Sequence, residues 1–213
     1  MKIFARLLPQ AILTSAALSA VSHAQDAGSV SQHEVRAKQA YCEVCHGVSA
    51  QGFHGYYPIP RLAGQQTEYL KNQLQAFIEH RRTNNIMLNV SHVLSPAMIT
   101  ALADNFMALN PKPIGGASKN LVPDGKRIFD EGIPAANVPA CASCHGQDAK
   151  GNGPFPRLAG QLFDYVSNKL TNWEKERGQI PDKPDTSAIM EPIAHNLTSA
   201  QIKAVAAYLS YME

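Results

Sequence analysis

The 213-residue sequence predicts an all-α fold made of two tandem helical domains of the same kind. Three observations support this prediction. A series of short motifs occurs twice in the same order, which indicates a duplicated structural unit. Apolar residues recur at spacings of three and four, as on the buried face of a helix. No segment alternates over enough residues to favour a sheet.

Residues 1–24 have the pattern of a secretory signal peptide that is cleaved on export. They combine a short basic start with a mostly small and apolar stretch over residues 7–21, and they end in a small-x-small pattern at Ala24. A retained membrane anchor is the alternative, but the stretch is shorter than the span of about 20 apolar residues that a bilayer requires. We therefore expect a periplasmic protein whose mature chain begins at Gln25.

The mature chain is close to electrically neutral. Removal of the two basic residues of the signal leaves equal numbers of basic and acidic residues, and neither half has a marked excess of one sign. Nucleic acid is therefore not an expected partner, because binding to it requires a basic surface that follows the phosphates. No second long apolar run follows the signal, so we expect a soluble protein with at most a peripheral association with membranes.

The repeat divides the mature chain into two domains joined by a short linker. The matched segments are residues 42–47 and 141–146, 60–65 and 156–161, 86–87 and 189–190, and 92–95 and 195–198. Two prolines and two glycines between the copies disfavour both helix and strand. We expect domains at residues 25–110 and 121–213, with a linker at residues 111–120. A domain of about 90 residues has a thin apolar core unless another group fills it.

Each copy is expected to contain a helix at its first motif and another after its second. The predicted helices are at residues 35–45, 67–77, 124–131 and 163–173. The Ile-Met pairs at residues 86–87 and 189–190 are predicted to lie in loops, because each comes shortly before the last helix of its copy.

An amphipathic helix is predicted to close each copy. Its apolar positions, at spacings of three and four, are Ile99, Leu102 and Phe106 in the first copy and Ile202, Val205 and Leu209 in the second. Ser95 followed by a proline is a favourable helix start, and Thr198 with a glutamine three residues later forms a capping box. The two closing helices therefore have defined N-termini.

All four cysteines lie in C-x-x-C pairs that are followed directly by histidine. Cys42 and Cys45 precede His46, and Cys141 and Cys144 precede His145. This pentapeptide is typical of covalent haem c attachment. Two thiols on one helical turn can bond to the two vinyl groups of a porphyrin, and the adjacent imidazole can then bind the iron. We therefore expect two haem c groups per chain, with His46 and His145 as iron ligands.

Other uses of paired cysteines fit this sequence less well. A zinc ribbon spaces its two pairs much more closely than the two copies do here, and a thioredoxin-like dithiol expects a βαβ context that is not visible. In an exported protein the four cysteines would ordinarily suggest disulfide bonds, but the histidine after each pair favours haem.

The second axial position of each iron has two pairs of candidates. Of the six methionines, only Met87 and Met190 match each other in the repeat, whereas His92 and His195 also match and follow them by five residues. Methionine opposite histidine raises the reduction potential and closes the iron to small molecules. We expect Met87 and Met190 to be the ligands, and His92 and His195 to have surface or loop-bonding roles.

The chain resembles the cytochrome c4 family of two-haem class I cytochromes c over nearly its whole mature length. The resemblance rests on C-x-x-C-H-G, then P-R-L-A-G-Q, a tyrosine-containing helix, and Ile-Met before a capped helix, all of which occur twice. It implies two tandem class I cytochrome c-like domains, each enclosing one covalently bound haem. A Tyr-Tyr-Pro-Ile-Pro insert in the first copy and an extra loop at residues 178–185 are modest departures that affect the expected partner rather than haem binding.

The resemblance also assigns residues around each haem. The carbonyls of Pro60 and Pro156 are expected to accept the proton of the axial histidine, which fixes the orientation of the ring. Leu62 and Leu158 are expected to pack on the haem. By charge and position, candidates for pairing with haem propionates are Arg61, Arg157, Arg81 and Arg177.

The resemblance implies a periplasmic electron carrier rather than an enzyme. Its expected partners are redox proteins: a quinol-oxidising complex or dehydrogenase as donor, and a terminal oxidase or reductase as acceptor. One alternative is a two-haem enzyme, such as a peroxidase or a sulfur-compound dehydrogenase, which needs an open iron face. Another alternative is a haem subunit that is bound permanently to a dehydrogenase.

Overall fold

The computed structural model describes residues 30–177 and 186–213. The expected signal peptide at residues 1–24 and the expected extra loop at residues 178–185 lie outside the described residues. Within the described ranges the regular structure is helical, and extended segments pair only as isolated β-bridges. The predicted all-α fold is therefore confirmed.

The described part of the first domain, from residue 30 onward, contains four α-helices. They are α1 (Gln32–His46), α2 (Thr67–Ile78), α3 (Asn85–Ser91) and α4 (Pro96–Met107). Helix α1 begins three residues before the predicted position because Ser31 and Glu34 form a capping box. Helix α4 begins as predicted, since the Ser95 hydroxyl accepts from the amide of Met98.

The second domain contains six described α-helices. They are α5 (Val122–Glu131), α6 (Ala142–His145), α7 (Phe163–Thr171), α8 (Trp173–Glu176), α9 (Ser187–Asn196) and α10 (Ser199–Tyr211). The single helix predicted at residues 163–173 is interrupted at Asn172, where φ is −114° and ψ is 22°. The capping box of Thr198 and Gln201 at the start of α10 is confirmed.

The closing helix of each copy is the centre of its apolar core. Helix α4 packs against α1 and α2, and α10 packs against α5 and α7. The apolar residues predicted to face inward are all buried: Ile99, Leu102, Phe106, Ile202, Val205 and Leu209. The spacing of three and four therefore identified the buried faces correctly.

The prediction that the two Ile-Met pairs lie in loops is wrong. Met87 lies on α3, and Met190 lies on α9. Helix α3 begins because the side chain of Asn84 accepts from the amide of Met87. Helix α9 contains Pro192, a residue that disfavours helix interiors, so its helical state depends on packing against α7 and α8.

The two domains contact each other directly. Arg82 and Arg177 form an isolated antiparallel bridge, and the amide of Thr83 donates to the carbonyl of Glu176 at 2.8 Å. The Arg82 guanidinium also donates to the Tyr165 hydroxyl at 2.7 Å. Because Arg82 and Arg177 are both buried, this contact belongs to the interior of the protein.

The structure corrects the repeat register at this contact. The sequence matched Arg177 with Arg81, but Arg82 holds the equivalent place. The Arg82 guanidinium lies over the Phe77 ring, and the Arg177 guanidinium lies over the Trp173 ring. After α2 the chain passes through His80, whose φ of 59° is left-handed. The first copy therefore has one residue more than the second between its aromatic residue and its arginine.

The expected linker packs against both domains. The Tyr211 hydroxyl of the second domain donates to the carbonyl of Ala117, whose side chain is buried. From the first domain, Nη2 of Arg61 donates to the carbonyl of Pro111 at 2.8 Å. The segment therefore helps to hold the domains together, and its boundaries at residues 111 and 120 stay predictions.

Among the described helices, none by itself has the length and apolar character of a membrane span. Asn85–Ser91 and Pro96–Met107 reach that length and composition only as a pair, and the pair is bent by 113°.

We predict that Gly125→Ala destabilises the second domain. A Cβ atom at Gly125 would lie 2.0 Å from the carbonyl oxygen of Ala204, so α5 and α10 would have to move apart. Overpacking of this kind costs about 1–3 kcal/mol, and thermal unfolding should show a lower midpoint. Glu131→Ala, at the exposed end of the same helix, is the control. An unchanged midpoint for Gly125→Ala would contradict this account of the α5–α10 contact.

Candidate haem attachment sites

The first site is built on the last turn of α1. Cys42, Cys45 and His46 lie within this turn, and the helix ends at Gly47, whose φ of 80° is readily adopted only by glycine. His46 is buried, Cys42 is half-buried and Cys45 is exposed. Burial raises the pKa of the Cys42 thiol to about 11, so the group is a neutral thiol at neutral pH.

The His46 ring is oriented by a backbone carbonyl. Its Nδ1 atom lies 2.8 Å from the carbonyl oxygen of Pro60. A carbonyl oxygen can only accept, so Nδ1 carries the proton and Nε2 keeps a lone pair that a metal can use. Burial lowers the pKa of His46 and so favours the neutral ring. The tautomer and the charge are those that an iron ligand requires.

The second site repeats this geometry on a shorter helix. Cys144 and His145 lie on α6, and Cys141 directly precedes it. His145 is buried, and its Nδ1 atom donates to the carbonyl oxygen of Pro156 at 2.9 Å. Burial lowers the pKa of His145 and raises the pKa of the Cys141 thiol to about 11. The two copies therefore present the same set of donor atoms.

The segment that carries each proline is fixed by backbone hydrogen bonds. The amides of Leu62 and Ala63 both donate to the carbonyl of Ala50, at 2.9 and 3.1 Å, and the second copy repeats this pair at Ala149. Leu62 and Cys42 pack against one apolar core, and Leu158 and Cys141 pack against the other. Each predicted leucine therefore lies on the same core as a cysteine of its own site.

Arg61 and Arg157 are buried, and each has one unpaired group. Arg61 Nε donates to the carbonyl of Ala63, and Arg157 Nε donates to the carbonyl of Ala159. Nη1 of Arg61 and Nη2 of Arg157 are buried without a hydrogen-bond partner. Burial and the charge of Arg157 lower the pKa of Arg61 to about 10. Unpaired buried guanidinium groups are costly, and the carboxylate of a haem propionate is a chemically suitable partner for them.

The other two arginine candidates have different surroundings. Arg81 donates from Nε to Glu79 at 2.7 Å. Arg177 donates to the side-chain oxygen of Gln73 at 2.8 Å and lies over the Trp173 ring. The indole Nε1 of Trp173 is buried without a partner. The orphaned donor near Arg177 fits a propionate, whereas Arg81 already pairs with a carboxylate.

The paired methionines and histidines differ in exposure. Met87 and Met190 are half-buried on their helices. His92 and His195 are exposed; Nδ1 of His92 donates to the carbonyl of Leu88 at 3.2 Å, and Nδ1 of His195 lies 2.8 Å from Glu174. Both histidines therefore lie at the surface, but their hydrogen-bond partners are on helices α3 and α8 rather than in loops.

A groove in the first domain separates the cysteine helix from the methionine helix. It is lined by Lys38 and Tyr41 of α1 and by Ile86, Asn89 and Val90 of α3, with Val93 beyond the end of that helix. Tyr41 and Ile86 directly precede Cys42 and Met87 in the sequence, but neither Cys42 nor Met87 lines this groove.

The cysteine pairs are separate from each other in the structure. None of the four cysteines is in a disulfide bond, and residues 30–177 and 186–213 contain no cluster of three or more His, Cys, Asp or Glu side chains that could hold a metal ion. The two pairs do not meet at one tetrahedral centre, as a zinc site of four thiolates would require.

Comparison with known proteins identifies the family. The cytochrome c family model matches residues 35–111 and again residues 122–213. The chain belongs to the cytochrome c family. The cytochrome c-552 of Acidithiobacillus ferridurans is 42% identical over 175 residues, which cover 79% of this chain and 72% of the relative.

Two further relatives agree with this placement. The cytochrome c4 structure from Acidithiobacillus ferrooxidans is 40% identical, with a TM-score of 0.71, and the match covers 82% of this chain and 99% of that chain. A protein of Thiomonas intermedia named thiosulfate dehydrogenase electron acceptor is 35% identical over 176 residues, 80% of this chain and 78% of the relative. This cytochrome is thus a dihaem electron carrier of the cytochrome c4 type, with two covalently bound haem c groups.

Gln65 and Gln161 are interface residues that the sequence did not identify. Each is the last residue of a P-R-L-A-G-Q segment, each is buried, and each bonds to the backbone of the other domain. The repetition of a glutamine at the same motif position in both copies was the available signal. Its partner could not be found from the sequence, because it lies in the other copy.

We predict two covalently bound haems per chain of this cytochrome, because both attachment motifs are complete. A pyridine haemochrome assay of purified protein should give a haem-to-chain ratio of two, and extraction with acid acetone should leave the colour with the polypeptide. A ratio of one or a freely extractable haem would contradict the prediction. Expression without the exported haem-attachment machinery should yield colourless protein.

Proposed function

We propose that this cytochrome carries electrons in the periplasm, with His46 and Met87 as the axial pair of one haem and His145 and Met190 as that of the other. The observation that carries the proposal is the duplicated donor set. In both copies a buried histidine donates Nδ1–H to a proline carbonyl, and a half-buried methionine lies on a later helix. Haem iron supplies one-electron transfer when it is bound in such a site.

The remaining protein groups hold and enclose the cofactors. The paired cysteines would form the thioether bonds, which requires two reduced thiols on one turn, as both copies have. The unpaired donors of Arg61 and Arg157 would bind propionates, and Leu62 and Leu158 would pack on the haem faces. Because histidine and methionine would occupy both faces of each iron, substrates have no coordination site.

The proposed donors and acceptors are other redox proteins. A relative is named as the electron acceptor of a thiosulfate dehydrogenase, which supports a dehydrogenase as one class of donor. A quinol-oxidising complex is a second class, and a terminal oxidase or reductase is the proposed acceptor. A permanently bound subunit would elute with its dehydrogenase when a native extract is separated by size. A free carrier would elute near the mass of the chain.

We predict that Met87→Ala and Met190→Ala each remove one methionine ligand. Each change should abolish about half of the sulfur-to-ferric-iron absorption band and lower one reduction potential, because a thioether favours ferrous iron. His92→Ala and His195→Ala are the matched controls and should leave the band and both potentials unchanged. If the histidine changes remove the band and the methionine changes do not, the proposed ligands are wrong.

We also predict that the isolated protein transfers electrons without catalysing the chemistry of a substrate. Reduced protein should be oxidised rapidly by membranes that contain a terminal oxidase. Its turnover of peroxide or thiosulfate should stay near that of a one-haem carrier. A well-populated high-spin haem at neutral pH, together with substantial turnover of either compound, would favour the enzyme alternative.

A further inference from the structure

Two glutamines join the domains in a reciprocal arrangement. Oε1 of Gln161 accepts from the amide of Arg61 at 2.8 Å, and its Nε2 donates to the carbonyl of the same residue at 3.0 Å. In the other direction, Oε1 of Gln65 accepts from the amide of Arg157 at 2.6 Å, and its Nε2 donates to the Arg157 carbonyl at 3.0 Å. Each glutamine thus pairs with the backbone of the opposite domain as a neighbouring strand would.

The orientation of both side-chain amides is determined by their partners. Oε1 of Gln161 also accepts from the amide of Leu162 at 3.1 Å, and Oε1 of Gln65 accepts from the amide of Gln66 at 2.9 Å. Two donors therefore converge on each oxygen and one carbonyl faces each nitrogen, so a flipped amide would lose every one of these bonds. Both glutamines are buried, so water does not compete for the bonds.

The peptide unit that each glutamine binds is the same unit that holds an axial histidine. The Pro60–Arg61 peptide accepts from His46 Nδ1 at its carbonyl and donates to Gln161 at its amide. The Pro156–Arg157 peptide does the same between His145 and Gln65. A continuous hydrogen-bonded chain therefore runs from each imidazole, through one peptide unit, to a side chain of the other domain.

We propose that Gln161 and Gln65 tune the reduction potential of the haem in the opposite domain through this chain. Hydrogen bonds in series polarise one another, so an acceptor at the amide makes the carbonyl oxygen of the same peptide more negative. A more negative carbonyl draws the Nδ1 proton more strongly and raises the basicity of the imidazole. A more basic axial ligand favours ferric iron, so each glutamine lowers the potential of the haem across the interface.

This inference rests on the proposed axial roles of His46 and His145, and it assigns both glutamines as positioning residues that act through a peptide. It makes a crossed prediction. A change in the second domain, at Gln161, should alter the first haem, and a change in the first domain, at Gln65, should alter the second haem. A general loosening of the interface would affect both haems in the same way for either change.

The test uses Gln161→Met and Gln65→Met in the full-length holoprotein. Methionine keeps the length of the side chain but removes the amide oxygen that accepts from the backbone. Gln66→Met is the matched control, because Gln66 also crosses the interface, with Nε2 donating to the carbonyls of Lys150 and Gly151, and binds neither histidine peptide. The potential of each haem is followed by NMR redox titration, with the Nδ1 proton of each axial histidine observed in the reduced protein.

Gln161→Met should raise the potential of the first haem only, and Gln65→Met that of the second haem only. The Nδ1 proton of the histidine in the domain of the affected haem should move to higher field as its hydrogen bond weakens. This is His46 for Gln161→Met and His145 for Gln65→Met. Gln66→Met should change neither the potentials nor these proton shifts. The inference would be overturned by unchanged potentials, by a shift only at the haem of the substituted domain, or by equal shifts at both haems. If one variant does not fold, the other still tests it. Failure of the proposed ligation is separate, since the wild-type spectrum would then lack low-spin haem with a histidine ligand.

Discussion

The hydrogen bond from a buried imidazole to a proline carbonyl is the interaction on which the rest of the structure depends. It fixes the tautomer of His46 and of His145, and it requires the Pro-Arg-Leu-Ala segment to run alongside the end of the cysteine helix. That position is held by paired backbone bonds to the loop after the histidine. The same segment then continues directly into the domain interface, so haem-site geometry and domain packing share one short stretch of chain.

The interface has an unusual charge distribution for a protein interior. Arg82 and Arg177 lie side by side, and Arg61 and Arg157 are close enough for the charge of Arg157 to lower the pKa of Arg61. Stacking on Phe77 and Trp173 and bonds to tyrosine and glutamine offset part of the cost of burying these charges. The buried donors that stay unpaired are cationic or neutral N–H groups, which are chemically suited to an anionic partner such as the proposed haem propionates.

Local sequence patterns predicted most of the fold. The features that they did not predict depend on contacts between residues far apart in the sequence. The cysteine motifs, the capped closing helices and their buried faces could be read from spacing alone, because helix periodicity and capping are local properties. The helical state of Met87 and Met190 could not, since α3 and α9 are short and depend on packing against neighbouring helices. The match of Arg177 with Arg82 and the roles of Gln65 and Gln161 also escaped prediction, because each is defined by contacts between the two copies.

The reciprocal glutamine contacts have an evolutionary consequence for the duplicated gene. Ordinarily, the two halves of a duplication are free to drift apart, since each half folds on its own. Here a substitution in the P-R-L-A-G-Q segment of one copy would alter hydrogen bonds in both domains. Selection against it would therefore reflect the effect on both domains. Residues 60–65 and 156–161 are identical, while the chain just ahead of them, residues 53–59 against 152–155, has diverged in both length and composition. Reciprocal contacts of this kind favour keeping the two hexapeptides identical, while the outer surfaces of the two domains can diverge.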